Sequence, residues 1–269
     1  MYNSSNPIGI FDSGVGGLTV ANAIRYILPG EDMIYFGDTA HLPYGDKSAE
    51  SIIYYSKNIA DFLLSQNVKI LLIACNSASA SAYDEIVEYV GNRAKVINVI
   101  DPVIEHIIQN NHLSTIGVIG TKRTIESKTY AEKLNILNET LKVKSLATPL
   151  FVPMIEEGFI YDDISNAIIR SYLSKEEISN IDGLVLACTH YPIIKNQISK
   201  FYNFEVEIVD SSRIVANYVN KYLVENNLIN SQQKGKYQFF VSDYTKTFEQ
   251  IAEMFFEQKI QLQKMNLWK

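Results

Sequence analysis

Residues Lys69 to Ala80, read Lys-Ile-Leu-Leu-Ile-Ala-Cys-Asn-Ser-Ala-Ser-Ala, constrain the fold more than any other stretch of the chain. A run of large apolar residues closed by Ala-Cys and small polar residues describes a strand buried on both faces, ending in a tight turn into a helix. The helix is expected to run through Ser81 to about Val90. Cys75 falls at the carboxyl end of the strand, where open α/β sheets bind ligands. The first turn of the helix offers unpaired N–H groups and a positive dipole end, which favour a thiolate or a bound carboxylate. The chain holds only two cysteines, and the second has the same setting: Gly183-Leu184-Val185-Leu186-Ala187-Cys188-Thr189-His190-Tyr191-Pro192.

Taken in order, the chain alternates strands and helices, the pattern of a parallel α/β fold. Ile8 to Asp12 reads as a first strand, and Ser13-Gly14-Val15-Gly16-Gly17 as a glycine-rich turn into a helix. That turn has neither the spacing of a dinucleotide loop nor the lysine of a phosphate loop. A strand at Met33–Phe36 ends in a long polar loop that carries Asp38, His41, Pro43, Tyr44 and Gly45. Such loops at strand ends tend to be functional, and Asp38 and His41 are acid–base candidates within it. Ser48 caps a helix to Gln66, with Ile52, Ile53, Ile59, Phe62 and Leu63 on its apolar side and Tyr54-Tyr55 as packing. A strand at Val96–Ile100 leads to Asp101, read as the cap of a helix with Pro102 in its first turn. Further elements are a strand at Ser114–Thr121, a helix from about Arg123 to Leu137, and a short strand near Lys142–Leu146. After them come a Thr148–Gly158 loop, a helix over Tyr161–Leu173, strands at 184–187 and 206–209, and a final strand and helix at 237–242 and 247–258.

The two halves echo each other. Ile-Gly-Ile-Phe-Asp-Ser (8–13) matches Ile-Gly-Val-Ile-Gly-Thr (116–121), pairing Ser13 with Thr121 and Asp12 with Gly120. Leu-Leu-Ile-Ala-Cys (71–75) matches Leu-Val-Leu-Ala-Cys (184–188), and Val-Ile-Asp (99–101) matches Ile-Val-Asp (208–210). The three separations agree to within five residues. The expectation is two similar α/β domains with mainly parallel sheets, related by a pseudo-twofold, whose cysteines face each other across a shared cleft. The domain crossings are expected near Asp101 and Asp210, giving a discontinuous first domain (1–100 and 210–269) and a second domain (101–209).

A thiol on either side of a cleft suits inversion of a stereocentre: one thiolate removes a proton from one face, and the opposing thiol donates to the other. The α-hydrogen of an amino acid is weakly acidic, so the reaction needs a dry cavity and fixed donors around the α-carboxylate. Ser13, Asn76, Ser77, Thr121 and Thr189 supply neutral donors beside the cysteines. Helix N-termini are expected to make the thiolates accessible at neutral pH. Either cysteine taken alone reads more readily as a small apolar filler behind a buried strand; the repeat favours the pair.

Composition narrows the field. Two cysteines among 269 residues make no disulfide framework, so a reducing cytoplasm is the expected compartment. No apolar run reaches the ~20 residues of a membrane span, and Met1 to Asn6 lacks a signal-peptide pattern. A net charge of −6 speaks against direct binding to nucleic acid or anionic membrane.

Six ordered motifs, Phe-Asp-Ser-Gly-Val-Gly-Gly-Leu-Thr-Val (11–20), Tyr-Phe-Gly-Asp-Thr-Ala-His-Leu-Pro-Tyr-Gly (35–45), Ala-Cys-Asn-Ser-Ala-Ser-Ala (74–80), Gly-Val-Ile-Gly-Thr-Lys-Arg-Thr-Ile (117–125), Phe-Val-Pro-Met-Ile-Glu-Glu-Gly (151–158) and Leu-Ala-Cys-Thr-His-Tyr-Pro (186–192), span nearly the whole chain. In that order they resemble the bacterial glutamate racemases of the cofactor-independent aspartate/glutamate racemase superfamily. The resemblance implies interconversion of L- and D-glutamate for peptidoglycan synthesis, with no pyridoxal phosphate and no metal. It implies Cys75 and Cys188 as the acid/base pair, Cys75 acting on D-glutamate and Cys188 on L-glutamate, with Asp12, Glu156 and His190 orienting or tuning them. It assigns substrate contacts to Asp12, Ser13, Pro43, Tyr44, Gly45, Asn76, Ser77, Thr121, Thr189 and His190. It further implies a homodimer. Ser77 departs from the family's usual threonine, and Thr148 stands where a cysteine is frequent. Some relatives carry an N-terminal extension linked to activation by a cell-wall precursor; with a first strand so close to Met1, such control is not expected here. The competing readings are an aspartate or hydantoin racemase of the same superfamily, a pyridoxal-phosphate racemase, a metal hydrolase using Cys75, Cys188 and His190, and a non-catalytic binding or regulatory protein.

Overall fold

The computed structural model describes residues 3–110, 112–256 and 259–268. Among the described residues ten strands are seen: β1 (Ile8–Asp12), β2 (Met33–Gly37), β3 (Ile70–Ile73), β4 (Lys95–Asn98), β5 (Thr115–Gly120), β6 (Lys142–Ala147), β7 (Gly183–Ala187), β8 (Glu207–Val209), β9 (Tyr237–Val241) and β10 (Leu262–Lys264). Eleven α-helices of the described residues lie between them: α1 (Leu18–Ile27), α2 (Ala49–Ser65), α3 (Asn76–Val90), α4 (Asp101–Gln109), α5 (Lys122–Glu126), α6 (Thr129–Leu137), α7 (Phe151–Glu156), α8 (Asp163–Leu173), α9 (Lys195–Phe201), α10 (Ser211–Glu225) and α11 (Lys246–Phe256). The strands form two sheets, in the orders β10-β9-β2-β1-β3-β4 and β6-β5-β7-β8. Every neighbouring pair runs parallel. Parallel sheets need cover on both faces, and each sheet carries an apolar cluster on either side. That is why β1, β3 and β7 are continuous apolar runs with no exposed face.

The central strands β2-β1-β3-β4 and β6-β5-β7-β8 follow one order, so the halves share a topology. The pairing registers carry the equivalence down to single residues. Ile8 sits beside Ile70 in one sheet and Ile116 beside Gly183 in the other, which makes Cys75 and Cys188 topological equivalents. The third match slips. Val209 pairs with Val185 as Ile97 pairs with Leu72, so Val209 corresponds to Ile97 and not to Ile100. Asp101 and Asp210 both sit where a helix begins, but β4 ends three residues before α4 while β8 runs directly into the cap of α10.

Several local details depart from the sequence reading. Asp101 does not cap α4; the side chain of Asn98 accepts the Ile100 and Asp101 N–H groups, at 2.8 Å each. Asp101 instead accepts from Asn98 and pairs with Lys133. The helix expected over 123–137 is broken into α5 and α6 by Lys128, which is left-handed with φ 57°. Tyr161 is also left-handed, and α8 begins only after Asp162, which makes a capping box with Ser165. The short helix α7 occupies what reads as a loop, and β10 extends the first sheet unannounced by any strong pattern. Of the tail helix expected over 247–258, Glu257 and Gln258 lie outside the described residues, as do Met1 and Tyr2. Among the described residues no helix is long and apolar enough to cross a membrane.

Candidate active site

The site lies where the carboxyl ends of the two sheets meet. Ser13 follows β1, Asn76 and Ser77 open α3, Thr121 follows β5, and Thr189 and His190 follow β7. Together with Pro43, Tyr44, Gly45, Val152 and both cysteines, they enclose one cavity of about 10 Å3. That volume suits about one water, so the cleft is closed. Every expected substrate-binding residue except Asp12 lines it.

Glycine lets the halves approach this closely. A Cβ on Gly16 would stand 2.4 Å from His190 Nδ1, and one on Gly45 would stand 2.5 Å from Thr121 Cβ. The glycine-rich turn is therefore shaped by the opposing Thr189-His190 turn. Thr19 ties the two together by donating to Thr189 O at 3.1 Å.

Both cysteines are buried and free. The Cys75 thiol lies 3.8 Å from Ser13 Oγ, and Cys188 Sγ lies 3.8 Å from His190 Nδ1. Their surroundings differ in charge. Burial pushes the Cys75 thiol up to about 12, with the Asp12 carboxylate adding to the rise and the Ala78 amide and Ser13 only partly offsetting it. This corrects the expectation of an accessible thiolate at Cys75: desolvation and a nearby anion outweigh the helix terminus. On the other side, burial pulls the His190 imidazole down, but Cys188 and Glu156 outweigh it and hold it well above its ordinary range. Glu156 Oε1 lies 2.5 Å from His190 Nε2, so carboxylate, imidazole and thiol form a chain.

Asp12 is fully buried behind the cavity. Its carboxylate accepts from the Gly14 N–H at 3.0 Å and the Thr189 hydroxyl at 3.1 Å, anchoring the glycine-rich turn and the Thr189-His190 turn together. Burial raises its pKa, against the opposing influence of His190 and the Gly14 and Gly17 amides.

Three contacts escape sequence reasoning. The Tyr130 hydroxyl donates to Asn76 Oδ1 at 2.7 Å, which fixes the amide and leaves its buried Nδ2 without a partner among the described residues. Thr124 completes a hydroxyl cluster with Ser77 and Thr121, all within 3.3 Å. Val152, on α7, supplies an apolar wall. The Phe151–Gly158 and Gly117–Ile125 motifs mark the segments that carry Val152 and Thr124, but Tyr130 sits in ordinary helical sequence and carries no signal of its own.

The family model for Asp/Glu/Hydantoin racemase matches residues 18–219. The chain belongs to that family. It is 41% identical over 254 residues to a glutamate racemase of Geobacter metallireducens, covering 94% of this chain and 93% of the relative. It superposes on the glutamate racemase of Francisella tularensis solved in complex with D-glutamate, with TM-score 0.91, 40% identity and 98% of each chain covered. The RacE1 isoform of Bacillus anthracis glutamate racemase gives TM-score 0.92 at 33% identity, again over 98% of each chain. These likenesses span both sheets, so the two-domain α/β architecture is common to all three.

Proposed function

We propose that this chain is a glutamate racemase in which Cys75 and Cys188 exchange protons with opposite faces of the α-carbon. The observation that carries the reading is a pair of free thiols entering one closed cavity from topologically equivalent strand ends. The curated relatives and the D-glutamate-bound neighbour supply the substrate.

For L-glutamate, an ionised Cys188 removes the α-proton and the Cys75 S–H delivers its own proton to the other face, giving D-glutamate. The enzyme is left with Cys188 protonated and Cys75 ionised, which is the form that accepts D-glutamate. The unpartnered Asn76 amide, with Ser13, Ser77, Thr121 and Thr189, would hold the substrate's polar groups as negative charge builds up beside the α-carboxylate. Asp12 would fix the Gly14 and Thr189 turns, while Glu156 and His190 would orient Cys188. Pro43, Tyr44 and Gly45 would close over the substrate. The product would feed peptidoglycan synthesis, the working form would be a cytoplasmic homodimer, and the domains would cross near Asp101 and Asp210.

The test is incubation of the pure protein with L-glutamate alone, following optical activity by circular dichroism. The signal should decay to zero, with no dependence on added pyridoxal phosphate or on dialysis against a chelator. Cys75→Ala and Cys188→Ala should each slow inversion by at least the ~10²–10⁴-fold of a lost general acid or base while keeping the far-UV spectrum. A folded single variant that inverts glutamate at the parental rate would exclude the two-thiol reaction. Inversion of aspartate in place of glutamate would exclude the substrate.

A further inference from the structure

The sequence marks Asp38 and His41 as acid–base candidates, yet neither lines the cavity and the reaction proposed above uses neither. Their contacts lead elsewhere. Asp38 is fully buried, and its carboxylate is saturated. It accepts the Tyr44 hydroxyl at 2.6 Å and the Ser242 hydroxyl at 2.7 Å, and it lies 2.9 and 3.0 Å from His41 Nδ1. Tyr44 is thereby held at its phenol while Pro43, Tyr44 and Gly45 line the cavity. The His41 ring stacks on Tyr55 at 4.0 Å and meets the edge of Trp268 at 4.6 Å. Trp268 also packs against Tyr55 at 5.2 Å. Its segment is fastened by β10, which pairs with β9, and by the Met265 N–H on Val241 O at 2.9 Å.

The far side of the loop is held less firmly. Gly45 abuts Thr121 of the other half, and the Asp46 carboxylate reaches across to Lys122 in an exposed ion pair at 3.8 Å. Exposed pairs of this kind contribute little. A cavity of about 10 Å3 cannot hold an amino acid, so the substrate must part these contacts. The buried network around Asp38 is then the fixed end of the loop, and the Gly45–Thr121 contact is the end that opens.

We propose that the C-terminal segment carrying Trp268 is a strap on the substrate loop, and that Asp38, His41 and Trp268 are positioning residues that set the loop's closed geometry over the substrate. This rests on the racemase reading above. Admission of substrate shifts the loop and the indole against it together.

Trp268 is the only tryptophan in the chain, so its emission reports the strap alone. Titrating the unaltered protein with D-glutamate should give a saturable change in emission whose midpoint follows KM. W268A should raise KM about tenfold with kcat within about twofold, the size expected when one or two aromatic pairs are lost. W268F should restore KM, because it keeps a ring on His41. Unchanged emission at saturating D-glutamate overturns the strap, even if W268A does not fold. A folded W268A with parental KM, or a W268F as weak as W268A, overturns it as well. If the parent fails to invert glutamate at all, the racemase reading falls and takes the strap with it. In the other cases the parent remains a working racemase, so the two failures are told apart.

Discussion

Alkylation of Cys75 measures how strongly the closed cleft suppresses its ionisation. Burial and Asp12 push this thiol from an ordinary 9.0 to about 12. At neutral pH that lowers the thiolate fraction by ~10³, a factor of ten for each unit of pKa. A more basic thiolate is also a better nucleophile, which recovers roughly 10- to 30-fold. The net expectation is that iodoacetamide modifies Cys75 roughly 50-fold more slowly in the folded protein than in the urea-unfolded chain. Its near-complete burial can only slow it further. Quenched time courses read by peptide mass spectrometry give the rate at each cysteine separately. In the folded protein the Cys75 rate should also keep rising about tenfold per pH unit beyond pH 9, where an ordinary thiol levels off. A Cys75 that reacts at the unfolded-chain rate near pH 7 would refute the argument, because neither burial nor Asp12 would then be controlling its proton. The same shift carries a stability consequence. A group whose folded pKa lies above its unfolded value stabilises the native state below the unfolded pKa and loses that contribution as pH rises. Cys75 should therefore weaken the fold between about pH 9 and 12, with Cys75→Ala flattening that slope in urea titrations.

Under the proposed reaction, the forms that accept L- and D-glutamate are tautomers carrying one ionised thiol between two cysteines. The kcat/KM profiles of the two enantiomers should therefore be bell-shaped and superimposable, which stopped-time polarimetry across the pH range can check. Lys69 and Glu31 form a fully buried pair at 2.5 Å, with Lys69 also donating to Ser4 O and Leu228 O. Lys69→Met strands Glu31 in the interior and should cost about 3–5 kcal/mol, read as a fall in Tm of roughly 10 °C; the double variant with Glu31→Gln should recover part of it. Tyr130→Phe removes the bond that orients the Asn76 amide. It should raise KM about fivefold for a buried hydrogen bond of ~1 kcal/mol, and lower Tm by about 2–4 °C.

The sequence shows the scaffold and the thiols clearly, and their ionisation poorly. Buried parallel strands leave continuous apolar runs, so β3 and β7 and the cysteines behind them stand out, and the equivalence of the Ile8–Ile70 and Ile116–Gly183 pairings agrees with the repeat. The break at Lys128 does not show, because lysine carries no preference for a left-handed turn. Nor does the strand β10, a short edge piece whose pairing is decided by what lies beside it. The Tyr130–Asn76 bond joins residues 54 positions apart and has no local signature. The Cys75 proton fails for a related reason: the helix terminus that favours a thiolate is local and visible in sequence, while the burial and the Asp12 charge that oppose it belong to the assembled cleft.

The same comparison explains why a repeated scaffold carries unequal surroundings for its two thiols. The repeat matches Asp12 with Gly120, so only the first half offers a carboxylate behind its cysteine. The chain Glu156–His190–Cys188 likewise belongs to the second half alone. The α-carbon of glutamate has near-equivalent faces as far as proton transfer is concerned, and the equivalent strand ends meet that requirement with two thiols. The rest of the substrate has no such symmetry, since an ammonium, a carboxylate and a carboxyethyl arm must stay bound while the hydrogen changes sides. Burial and the nearby Asp12 anion hold the proton on Cys75 in the resting cleft, while an imidazole held well above its ordinary range lies beside Cys188. Under the proposed reaction a cleft with Cys75 protonated is the form that accepts L-glutamate, and the D-enantiomer must bind the tautomer with the thiol charges exchanged. Because the two forms interconvert without net gain or loss of a proton, the asymmetry sets which enantiomer meets a ready enzyme, and it leaves the equilibrium between them untouched.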